Sequence, residues 1–148
     1  CLPARHFSGR GPFNQNSTLW SSWAIKSSVV KIYFSGDSGY GIHLKKIGEE
    51  HGPFDISLID CGQYNLAWKH SHMFPEEAVN AAIDLKSKYF MPIHWGGFIL
   101  AMHPWDEPVR KSKKLAEEKG LACITPKIGE ILFKPTLNKQ FPLWWDNY

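Results

Sequence analysis

Three apolar segments in this chain stop at a residue that can bind a metal ion. Leu2-Pro3-Ala4-Arg5 ends at His6, Ile32-Tyr33-Phe34-Ser35-Gly36 ends at Asp37, and Phe90-Met91-Pro92-Ile93 ends at His94. Few architectures bring the ends of separate strands together. An α/β sheet does, because its strand ends converge on one edge where binding crevices form. The pattern therefore constrains the fold before it specifies any chemistry.

The remaining segments suit such a fold. Thr18 to Ile25 and Val29 to Phe34 flank Lys26-Ser27-Ser28 and predict a hairpin, since β-branched and aromatic residues favour a pleated surface. Gly41 to His51 carries Ile42, Leu44 and Ile47 before Gly52, which predicts a short helix with a glycine stop. Ile56 to Ile59 predicts a buried strand that runs into Asp60-Cys61-Gly62, and a polar loop follows through His72. Pro75 opens a second helix with Glu76 and Glu77 in its first turn, where proline is tolerated and acids complement the dipole. Lys88 to Ile93 predicts a strand, and Pro108 opens a helix that stops at Gly120. Ala122 to Ile124 and Glu130 to Phe133 complete the expected strands. Strands alternating with helices predict an α/β fold. With 148 residues and 43% hydrophobic content, the chain suits one domain with a sizeable core.

Composition excludes several function classes. A net charge of +3 is too mild to indicate a nucleic-acid partner. No apolar run is long enough to span a membrane, and no signal peptide is visible. Cys1, Cys61 and Cys123 show no C-x-x-C spacing, which argues against a disulfide framework or a Cys-rich zinc site. A reducing, cytoplasmic setting or a peripheral membrane position is favoured. The run Arg110 to Lys114 reads as a solvated helix face, because Lys113 and Lys114 lie four residues before Glu117 and Glu118. The tail Phe141-Pro142-Leu143-Trp144-Trp145 is expected to be tucked into the core; exposed, it would anchor a membrane surface or a partner. The chain starts without Met, and a piece of a longer protein is expected.

Two imidazoles and a carboxylate at one edge suit zinc or a similar divalent ion. Each residue also has a plainer reading. Asp37 beside glycine suits a turn, His6 a surface histidine, and His94 a hydrogen-bonded core histidine. His70-Ser71-His72 can chelate, but Met73-Phe74-Pro75 supplies no third ligand. His72 instead precedes a helix start, a place suited to meeting an anion. It is a candidate for substrate contact or proton transfer, or a loop histidine bonded to backbone.

Six ordered motifs carry a resemblance. They are Pro3-Ala4-Arg5-His6-Phe7, Leu19-Trp20-Ser21-Ser22-Trp23, Phe34-Ser35-Gly36-Asp37-Ser38-Gly39-Tyr40, Gly52-Pro53-Phe54-Asp55, Pro75-Glu76-Glu77-Ala78-Val79 and Ile93-His94-Trp95-Gly96. Together they resemble the metallo-β-lactamase-fold hydrolases, in the branch of the N-acylphosphatidylethanolamine-hydrolysing phospholipases D. The resemblance covers about Pro3 to Phe133. It implies the C-terminal half of an αββα sandwich, with mixed β-sheets, outer helices and a two-zinc site at one edge. It also implies roles: His6 on one zinc, Asp37 bridging both, His94 on the second, and His72 as the catalytic group near the substrate. The family's H-x-H-x-D-H motif, which supplies most other ligands, does not occur in this chain. Asn65-Leu66-Ala67-Trp68 also departs from the Pro-Arg pair that precedes Trp in the animal phospholipase.

Three readings follow. The first is a zinc-dependent phosphodiesterase acting on lipids, inert as this chain alone. The second is a lactonase or phosphodiesterase with a small soluble substrate. The third is a non-catalytic fragment or interaction module.

Overall fold

The computed structural model describes residues 1–9 and 11–148. Its framework is a six-stranded mixed sheet in chain order: β1 (Leu2–Pro3), β2 (Ser21–Lys26), β3 (Lys31–Phe34), β4 (Ile56–Asp60), β5 (Tyr89–Ile93) and β6 (Ala122–Cys123). β1, β2 and β3 pair antiparallel, and β3 to β6 pair parallel. Helices α1 (Ile42–Glu50), α2 (Pro75–Asp84) and α3 (Glu107–Glu118) make the three parallel crossovers. Such crossovers are right-handed as a rule, so sequential strand order puts all three helices on one face. The packing agrees: α2 lies between α1 and α3, and α2 and α3 cover β4, β5 and β6.

Local chemistry explains the boundaries. The predicted hairpin forms, with Trp23 opposite Phe34 and Lys26 opposite Lys31. Pro75 is the first residue of α2, and Glu77 reaches back to accept the Phe74 N–H at 3.0 Å. Ala78, Ala81 and Ala82 let α2 settle on the sheet, where Tyr33, Ile59 and Phe90 are fully buried. The basic run lies on α3, and Lys113–Glu117 and Lys114–Glu118 form the expected i,i+4 pairs.

Two expectations need correction. Glu130 to Phe133 forms no strand. A turn closes there, with the Glu130 N–H on the Lys127 carbonyl and the Glu130 side chain paired to Lys139. Leu132, Leu137 and Phe141 instead cover Ile56, Tyr89 and Met91 on the face opposite the helices. Ala122 to Ile124 shortens to Ala122–Cys123. The tail is tucked in part, with Phe141 and Trp145 buried and Pro142 and Leu143 exposed. The strands of the described residues form a single mixed sheet, one layer of the expected sandwich.

That second face is apolar beyond the reach of the tail. Register places Trp23, Ile25, Ile32, Phe34, Leu58 and Met91 on it. Trp23 is 49% exposed, Ile25 57% and Phe34 38%. Covering side chains of this kind is worth about 1.5–3 kcal/mol each.

Candidate metal centre

The carboxyl ends of β3, β4 and β5 meet at one edge, and the chain after β1 joins them. Beyond Phe34 the backbone turns through Gly36 at φ 58 and presents Asp37. The small residues that follow serve close approach. A Cβ on Gly39 would stand 2.3 Å from the His70 carbonyl oxygen, so glycine here lets the loop carrying His72 press onto the Asp37 loop. Gly62 plays the same part next to His94, whose carbonyl oxygen would lie 1.9 Å from a Cβ. His94 itself sits at φ 66, a left-handed conformation costing about 1–3 kcal/mol for a residue with a side chain. Strain of that kind persists where the surroundings fix it, and it clusters at functional sites.

His6 is placed by its neighbour. The Arg5 N–H donates to Ser38 Oγ at 3.0 Å, and the Gly39 N–H donates to the Arg5 carbonyl at 2.8 Å. Trp20 then joins two site residues: it stacks on the His6 ring at 4.5 Å and donates its indole N–H to the Asp37 carbonyl at 2.9 Å. His6 Nδ1 lies 2.7 Å from the Phe7 carbonyl and donates to it, which leaves Nε2 free. A backbone carbonyl on the far ring nitrogen is the usual way a metal-binding histidine is oriented.

The structure brings all four sequence-derived residues into one cluster. His94 Nδ1 lies 3.5 Å from Asp37 Oδ1. The His72 ring stacks on His94 at 5.1 Å and meets His6 edge-on at 5.4 Å. His70 does not join them; among the described residues the metal-capable group is Asp60, His72 and His94, with ligand atoms within 4.8 Å of one another. A tetrahedral zinc with bonds of ~2.0–2.1 Å separates its ligand atoms by ~3.3 Å. The Asp37–His94 separation of 3.5 Å suits that spacing, and carboxylate and imidazole donors are of the kind a divalent ion takes.

Asp60 is the residue that the sequence reading missed. It closes β4 as Asp37 closes the β3 turn, and the same strand-end rule would have found it. Its side chain is fully buried. Oδ2 accepts the Ser38 N–H at 3.2 Å and faces His72 Nδ1 at 2.9 Å, while Oδ1 accepts the Gly62 N–H at 3.2 Å. Burial pushes the Asp60 carboxyl above its ordinary value, against the hydrogen bond from His72, the charges of His72 and His94, and the Ser38 N–H. Neighbouring Cys61 is no candidate nucleophile, since burial holds its thiol well above the usual range.

A groove of about 260 Å³ opens beside His72, lined by Phe7, Gln63, Trp68, Ser71 and Leu100. Buried Gln63 shapes its rim. Its amide donates to the Phe98 carbonyl at 2.6 Å and accepts the Leu100 and Ala101 N–H groups at 2.9 and 3.0 Å. This holds Phe98, Ile99 and Leu100 at the surface, all three largely exposed.

A mixed sheet with helical crossovers and a histidine–aspartate cluster at its edge agrees with a metallo-β-lactamase-type fold. The beta-lactamase superfamily domain matches residues 1–95, and the chain belongs to that family. A Mycobacterium tuberculosis protein described as uncharacterized is 45% identical over 148 residues, which cover 98% of this chain and 39% of that protein. The Caenorhabditis elegans N-acyl-phosphatidylethanolamine-hydrolyzing phospholipase D 1 is 37% identical over 139 residues, covering 88% of this chain and 39% of that enzyme. The chain thus spans 39% of the length of these two relatives. Igni18, a metallo hydrolase of Ignicoccus hospitalis, superposes with a TM-score of 0.66 at 22% identity, covering 89% of this chain and 52% of Igni18, a likeness of fold.

Proposed function

We propose that this chain is the C-terminal part of a single metallo-β-lactamase-like domain, and that the complete protein is a zinc-dependent hydrolase. His6, Asp37 and His94 would hold the metal, and His72 would act on the substrate. The observation that carries this reading is the convergence of three histidines and two aspartates from separate loops at one sheet edge. The uncovered apolar sheet face supports the first half of it. Trp23, Ile25 and Phe34 form a surface of the kind a second sheet covers in a sandwich. The missing segment would bring that sheet and the H-x-H-x-D-H ligands.

A bound divalent ion supplies Lewis-acid chemistry, polarising a phosphoryl or carbonyl oxygen and activating water. The chain's own residues supply the rest. Trp20 holds His6 and the Asp37 loop together, and Gly39 brings His72 alongside them. Phe7, Trp68 and Leu100 give the groove an apolar wall and exclude water from the end of a bound substrate. An acyl chain fits such a wall. Exposed Phe98 and Ile99 beside it suit contact with a lipid surface. The favoured substrate is therefore an N-acylphosphatidylethanolamine-like phosphodiester. The C. elegans relative is named for that hydrolysis.

One observation favours a small soluble substrate instead. The Asn65 carboxamide caps a short turn at Leu66–Trp68 by accepting the Ala67 N–H at 2.9 Å, and this segment lacks the Pro-Arg pair that the resemblance places before the Trp. The test is a panel: N-acylphosphatidylethanolamine in mixed micelles, bis(4-nitrophenyl) phosphate, and a γ-lactone, each with zinc-loaded complete protein. Release of N-acylethanolamine from the first is the expected result. Lactone opening with neither phosphodiester cleaved would overturn the phosphodiesterase reading.

A further inference from the structure

A second cavity is built from the chain beyond β5 and the C-terminal tail. It measures about 620 Å³, more than twice the groove beside His72, and shares no lining residue with it. Small-molecule sites have volumes of this order. Two of its walls are Trp105 and Trp144. Both stack on Trp95, at 6.4 and 5.3 Å between ring centres and at angles of 19° and 28°. Buried Trp145 meets Trp95 edge-on at 5.5 Å and anchors the set. The Trp144 indole N–H is committed to the Pro126 carbonyl at 3.1 Å, so this wall offers the cavity its ring and no donor. Arg110 pairs with both Asp106 and Asp146, which ties the segment carrying Trp105 to the tail carrying Trp144. Gly96 also lines the cavity, at φ 75. A Cβ there would already touch the Trp105 ring at 3.8 Å, so glycine keeps that space open.

Lys127 supplies the charge in the lining. Glu130, the acid near it, is paired to Lys139 and accepts the Lys127 backbone N–H at 2.9 Å. Among the described residues the Lys127 ammonium forms no ion pair of its own. The other ion pair at the cavity, Arg110 with Asp146, is already balanced. An organic cation would stack on indole, but Lys127 repels it. A sugar needs several hydrogen-bonding partners, and the Asn147 amide already donates to the Trp144 carbonyl at 3.4 Å. A flat ring suits the indole faces, and an acid group on that ring suits Lys127. We propose that this cavity is a binding site for a flat aromatic acid, its ring stacked on Trp105 and Trp144 and its acid group on Lys127. The site is independent of the reaction proposed for the sheet edge.

The test is calorimetric titration of the complete protein with 2-naphthoate, 2-naphthamide and 2-naphthylmethylammonium. The naphthoate should bind at one site per chain and more tightly than the other two. Lys127→Gln, at an exposed position, should weaken the naphthoate by about 2–5-fold, the range of a solvent-exposed ion pair, and leave the amide unchanged. Trp144→Leu should weaken naphthoate and amide alike by about 2–10-fold, the range of one aromatic pair. Binding should survive treatment with a chelator, since no proposed metal ligand lines the cavity. No naphthoate binding at millimolar concentration, tighter binding of the ammonium, naphthoate affinity unchanged in Lys127→Gln, or binding lost with the metal would each overturn the proposal. The Lys127 arm decides the matter even if Trp144→Leu does not fold.

Discussion

Asp37→Asn in the complete protein is expected to lower activity by more than about 100-fold, the upper end for losing even a group that only supports a ligand. The zinc content should fall with it. Asp37 stands 3.5 Å from His94, and its backbone carbonyl receives the indole of the same Trp20 that stacks on His6. It is thus tied to both histidines that would hold metal. The amide is nearly isosteric, so packing should survive, but it carries no negative charge and bridges two cations poorly. The turn reading of Asp37 makes the opposite forecast, because Asn tolerates turn geometry about as well as Asp. Zinc per chain, measured beside turnover, separates the two.

The 148-residue chain alone is expected to show no phosphodiesterase turnover, even with added zinc. It would supply only the proposed ligands His6, Asp37 and His94, and a partial ligand set holds an ion weakly. Its sheet also leaves Trp23, Ile25 and Phe34 uncovered, which favours self-association over a defined site. Phosphodiester cleavage by this chain at the rate of the complete protein would show that no upstream ligands are required.

The sequence made the helices and the central strands legible, and it failed where pairing depends on distant residues. Pro75 and its two glutamates marked the start of α2, and the hairpin of β2 and β3 followed from their apolar runs. Glu130 to Phe133 has the residue types of a strand, but a local turn and the Glu130–Lys139 pair take the segment away from the sheet. His6, Asp37 and His94 could be read because each ends an apolar run. Their convergence with His72 could not, since it depends on Gly39 accepting the backbone of His70, a contact 31 residues apart in sequence. Asp60 ends the Ile56 to Ile59 run as Asp37 ends its own, so its position was legible while its partners were not. What distinguishes it is full burial and the bond to His72, neither of which has a linear signature.

If metal held at this sheet edge drives the proposed hydrolysis, removing it must abolish turnover. The direct measurement is turnover of bis(4-nitrophenyl) phosphate by the complete protein, with its metal removed by a chelator and zinc then returned. Activity should vanish on removal and recover in proportion to zinc bound, with His6→Ala and His94→Ala unable to recover. Full turnover by the metal-free protein would rule out a metal-dependent reaction at this edge.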